Sequence, residues 1–159
     1  MKKTVIDGVN YYPHSNGGGL VAETATVSKT AYIGRDAIVH DNSEVSGNAE
    51  VFEYAQVFGS AKVFGHAMVW GNAKVTDAKI NASVWDNAEV FGNAEVSGNA
   101  KVWGKAKVWG KAKVWDNAQV FGNAEVSGNA KVFDHAEVFG NAEVSDYAEV
   151  SDYAEVSGK

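Results

Sequence analysis

Catalysis near neutral pH most often announces itself through histidine, which can act as a general base or join others around a metal. The chain has four, His14, His40, His66 and His135, and no cysteine, so disulfides, thiolate metal sites and cysteine nucleophiles are excluded. His66 and His135 stand between a Gly or Asp and an Ala, a place that Asn usually fills. They lie far apart, and no pair of histidines has metal-ligand spacing on one face, which removes a three-His zinc site within one chain. There is no Gly-x-Ser-x-Gly elbow, and Gly17-Gly18-Gly19 lacks the strand and helix that a phosphate loop needs. A second suggestive segment runs from Lys101 to Trp115, where Lys101, Lys105, Lys107, Lys111 and Lys113 interleave with Trp103, Trp109 and Trp115. Interleaved cations and indoles suit an anionic base or an acidic sugar, provided that one ligand can reach them together.

Whether it can depends on the elements that carry these residues. Val, or Ile33, recurs every sixth residue from Val21 to Val75 and again from Val84 to Val156. Two residues before almost every one stands Ala, with Ser43 the polar substitute, and between the two lies a residue that is usually Glu or Lys. This is a short strand with inward ends and an outward middle. The other half of each hexad is most often Gly-Asn or Asp-Asn, whose tolerance of positive φ and local hydrogen bonding mark a corner. A helix needs apolar spacing near 3.6 and few glycines, and a meander needs longer strands. A solenoid of parallel strands remains, three hexads making a triangular coil of about 18 residues and the whole chain about seven to eight coils.

The hexad Ile33-Gly34-Arg35-Asp36-Ala37-Ile38 resembles the motif of the bacterial transferase hexapeptide family, and the likeness extends over roughly residues 20 to 158. The Gly-Asn-Ala repeats are also similar to small hexapeptide-repeat proteins of bacteria and their phages. The resemblance implies an all-β, single-stranded left-handed parallel β-helix, its hand taken from the family because parallel crossovers are otherwise right-handed. It also implies trimers with parallel axes. In the family's acyltransferases a His in a cleft between subunits is the general base, beside a long loop or added domain that helps to hold the acyl donor. On that analogy His66 is the alternative catalytic residue, though a shared fold does not carry catalysis by itself. Residues 1–19 are expected to form a cap, with a hairpin over Thr4–Tyr11 turning at Asp7-Gly8 and a flexible join at His14–Gly19. Residues 20–159 form the repeat, interrupted by a corner loop at 77–80, and Ser145-Asp146-Tyr147 and Ser151-Asp152-Tyr153 make a more polar terminal coil.

The residue after Val points outward and alternates between Ser and large aromatics, so rings 18 apart, or 21 across the loop, fall into columns. One column holds Phe64, Trp85, Trp103, Phe121 and Phe139; a second Phe52, Trp70, Phe91 and Trp109, then Ser127 and Ser145; a third Phe58, Thr76, Ser97, Trp115 and Phe133. Five outward rings in line exceed ordinary scattered exposure and mark a contact surface, either between copies of the chain or for a sugar-like ligand, or else only stack on one another. Six-residue spacing places Trp103, Trp109 and Trp115 on three different faces, so the lysines form a belt, with Lys107 between Glu89 and Glu125 as cross-strand compensation.

Fourteen basic residues against twenty acidic give a net charge of −6, which disfavours general nucleic-acid binding and anionic membrane surfaces. No apolar run is long enough for a membrane span, and Met1-Lys2-Lys3 precedes no signal-peptide core, so a cytoplasmic location is expected. A face of regular Thr for ice binding is absent, since the strand centres are Glu and Lys. The expectation is a non-catalytic, self-associating scaffold or binding module, a dimer or trimer without cofactor or metal, with Phe64, Trp85, Trp103, Phe121 and Phe139 in contact. The alternatives are capture of a small anionic ligand, a nucleotide or acidic sugar, between subunits near Trp103, Trp109 and Lys107, and acyl transfer.

Overall fold

The computed structural model describes residues 3–76 and 82–159, and the corner loop expected at 77–80 lies outside them. The described chain is all-β, winding as a parallel solenoid of about seven turns. Three sheets run along it: sheet A with ten described strands, sheet B with eight and sheet C with seven, and the chain visits A, B and C in turn. Register pairs residues 18 apart, as in Lys107↔Glu125 and Val108↔Val126, or 21 apart where the period slips between Val75 and Val84, as in Val63↔Val84.

The six-residue period produces this directly. The described Ala and Val side chains from Ala31 to Val138 fill the shaft and are 0% exposed, so no water reaches their contacts. Burying such methyls contributes roughly 25 cal/mol per Å² of apolar surface, and each turn obtains it only by stacking on its neighbours. Ser43 is the one polar side chain in the shaft among the described residues, and its hydroxyl donates to the His40 carbonyl.

Backbone groups are satisfied mostly between turns. In the hexad around Trp103, Lys101 N donates to Ala118 O (2.9 Å), Trp103 N to Val120 O (3.0 Å) and Lys105 N to Gly122 O (2.7 Å), while Ala106 N closes the corner on Trp103 O. Even the corners therefore pair with the turn beyond. From Asp41 onward the first residue of each described corner pair is left-handed, as at Gly71 (φ 75°), Asp86 (φ 60°) and Asp116 (φ 58°), and no described asparagine is. The asparagines have a different part, bonding up the rod in steps of one turn, Asn99 Nδ2 to Asn117 Oδ1 (2.9 Å) and Asn123 Nδ2 to Asn141 Oδ1 (3.0 Å).

At the N-terminal end, β1 (Thr4–Ile6) and β2 (Val9–Pro13) form a hairpin turning at Asp7 (φ 48°) and Gly8 (φ 82°). β2 then pairs antiparallel with β3 (Leu20–Ala22), whose other edge begins the parallel ladder of sheet A. The segment from His14 to Gly19 is a packed turn rather than a flexible join. Ile33 N donates to Asn16 O and Gly19 N to Ile33 O, so this turn covers the first strand of sheet C, and a Cβ on Gly17 would stand 2.2 Å from Ile33 O. Gly17 and Gly19 are there for close backbone approach, and Gly18 for its left-handed φ of 82°.

Candidate contact surfaces

Strand spacing sets ring spacing. On sheet B, Phe64 stacks on Trp85 with centroids 5.6 Å apart, Trp85 on Trp103 at 5.0 Å, Trp103 on Phe121 at 4.4 Å and Phe121 on Phe139 at 5.1 Å, all within 6° of parallel. Sheet C carries Phe52, Trp70, Phe91 and Trp109 in the same manner, at 5.6, 4.4 and 5.7 Å. On sheet A, Trp115 and Phe133 stack at 4.5 Å. Each ring is half-buried, because one or both of its faces meet a neighbouring ring of its column. Such stacking is worth about 0.5–1.5 kcal/mol per pair beyond area burial.

The most exposed aromatics are instead tyrosines at corners: Tyr54 at 64%, Tyr147 at 81% and Tyr153 at 79%. They occupy the Asn place of their hexads, where the side chain stands away from both neighbouring sheets. His135 shares that place and stacks on Tyr153 at 4.9 Å, while its Nε2 lies 3.4 Å from Asn117 Nδ2. His66 is exposed at another corner, and no side chain among the described residues bonds its ring. No group of three His, Asp or Glu among the described residues is placed to hold a metal ion.

Lys107 and Trp109 lie on one strand of sheet C, whereas Trp103 lies on sheet B across the Gly104-Lys105 corner, and Trp115 is on sheet A. The lysine belt thus spans three sheets. Within it Lys113 pairs with Glu95 (3.1 Å), and Lys107 sits in register between Glu89 and Glu125.

One cluster escaped the sequence reading. The Tyr11 hydroxyl lies 2.8 Å from His40 Nδ1, the two rings meet edge-on at 5.5 Å, and His40 meets Phe58 edge-on at 6.2 Å. His40, Asp41, Gln56 and Phe58 line an open cavity of about 210 Å³. Burial holds the His40 imidazole below its ordinary pKa, against the opposing pull of Asp41. Burial raises the Tyr11 phenol, reinforced by Asp41 and Asp7, so the hydroxyl keeps its proton, and the imidazole tautomer sets which of the two atoms donates. The 18-residue interval from His40 to Phe58 was a usable signal; Tyr11 comes from outside the repeat and had none. No described helix exists that could cross a membrane. No family model, curated protein or solved structure matches the chain.

Proposed function

We propose that this chain is a non-catalytic, self-associating β-solenoid scaffold or binding module, whose copies meet through the sheet B ladder of Phe64, Trp85, Trp103, Phe121 and Phe139. The observation that carries this is the unbroken column of five half-buried rings, which presents a straight apolar edge along the rod. Intrachain stacking shields the ring faces but not that edge, and a second surface laid along it would complete the burial. We read the rod as left-handed and allied to the bacterial transferase hexapeptide family on the strength of its repeat, with a dimer or trimer as the assembly. Catalysis by His66 finds no support in its surroundings, since no second group among the described residues converges on it.

Sedimentation of the native chain across micromolar to high-micromolar concentration tests the reading. A mass above the monomer is expected, falling toward the monomer when Trp85 and Trp103 are both replaced by Ser. A native chain that stays monomeric throughout overturns it.

A further inference from the structure

Over four successive turns the outward residues of sheets A and C are inverses of each other. In the first of four successive turns, sheet A presents Lys74 and Thr76 and sheet C presents Glu89 and Phe91. The next has Glu95 and Ser97 on A, Lys107 and Trp109 on C; then come Lys113 and Trp115 against Glu125 and Ser127. The fourth has Lys131 and Phe133 on A against Glu143 and Ser145 on C. Each turn therefore contributes one lysine, one glutamate, one ring and one hydroxyl. Sheet B has no such relation to either: its column Ser83, Lys101, Gln119 and Glu137 inverts neither, and its rings are continuous.

Within one chain this pattern is partly unfavourable. Lys113 and Lys131 are register neighbours on sheet A, and Glu125 and Glu143 are register neighbours on sheet C, so like charges adjoin on both faces in the same two turns. Two faces meeting with turns matched would place opposite charges together at each of these four levels and keep the gap between sheets even there, because each of the four holds one large and one small side chain.

We propose that sheet A of one copy docks on sheet C of a second, the rods lying side by side and parallel. Matching the turns offsets the copies by about 3 Å along the axis, two-thirds of the roughly 4.8 Å between strands. Reversing one rod over the same four turns would set Glu95 against Glu125 and Lys113 against Lys107, and slipping the reversed rod by one turn restores the charges but sets Trp115 against Phe91 and Thr76 against Ser127, so charge and size together favour the parallel sense. Because different faces are used on the two copies, the contact is heterologous and propagates beyond a pair. The inference rests on the self-association proposed above but not on the ladder assigned to it.

Charge reversal tests it with the full chain. One variant carries Lys113→Glu and Lys131→Glu, the other Glu125→Lys and Glu143→Lys, and circular dichroism shows whether each stays folded; Lys113→Gln with Lys131→Gln is the milder alternative if the first does not. Sedimentation is expected to show each reversed variant associating at least tenfold more weakly than the native chain, and an equimolar mixture recovering, since each variant's altered face then meets its complement. Native association is expected to weaken with salt. Failure of the mixture to recover, or reversed variants that associate like the native chain, overturns the proposal. The Trp85 and Trp103 double substitution separates the two readings: loss there with no effect of charge reversal leaves the ladder standing alone, and the opposite result leaves only the A-to-C contact.

Discussion

Tyr11 and His40 tie the hairpin to the repeat through one hydrogen bond, and its strength follows the state of the imidazole. In the folded chain burial keeps His40 neutral below the pH at which an unfolded histidine, near 6.5, takes its proton. The unfolded state therefore binds the proton first as pH falls, so this stability is present above about pH 6.5 and is lost as pH drops through the lowered folded value. Protection factors of the β1 and β2 amides, with the intrinsic pH dependence of exchange divided out, are expected to be lower at pH 5 than at pH 7.5, with His40→Ala flattening the difference; an unchanged pH profile in that variant would refute it. Tyr11→Phe is expected to cost about 0.5–1.5 kcal/mol, read as a lower melting temperature. A period of eighteen made the His40–Phe58 neighbourhood legible, but β2 runs antiparallel to the repeat and obeys no period. Nothing in the local sequence distinguishes buried Tyr11, 3% exposed, from Tyr12 at 40%.

At the scale of strand and corner, Val and Ala spacing was enough to foretell inward ends, outward middles and the ring columns, because a period of two along a strand and six along the chain leaves one solution. The corners were less transparent. Both members of Gly-Asn tolerate unusual backbone, and only the structure shows that the left-handed residue is the first and that asparagine bonds along the rod. Asp86 does at φ 60° what Gly71 does at φ 75°, so conformation alone does not demand glycine. Space does at Gly71, where a Cβ would lie 2.8 Å from the backbone of Gly92. Gly71→Ala is expected to destabilise by about 2 kcal/mol, the left-handed penalty plus a backbone shift, whereas Asp86→Gly changes stability by less than about 1 kcal/mol. Denaturant midpoints of the two variants decide the matter, and equal effects would contradict it.

For the whole molecule, every column depends on turns of constant length. Removing residues 99–116 deletes one complete turn and leaves Gly98 joined to Asn117, so all later rings and charges keep their sheets. Removing only Lys105–Gly110 moves each later hexad on by one sheet, breaking the sheet B ladder after Trp103 and setting Trp115 among the residues of sheet C. The smaller deletion is expected to lower the melting temperature more; the reverse order would mean that outward stacking contributes little. The interruption between Val75 and Val84 was readable as a slip in the period, and its effect on register, 21 instead of 18, is what the strand pairs display. The antiparallel start was readable only as a hairpin, since its docking on β3 joins two patterns of different kind. A shaft filled by one kind of layer has a geometric consequence. A globular domain gains buried fraction as its volume outgrows its surface, and beyond a certain mass divides in two. Here lengthening adds interior and exterior in fixed proportion, so each added turn is as well sheltered as the last and the architecture has no natural maximum size.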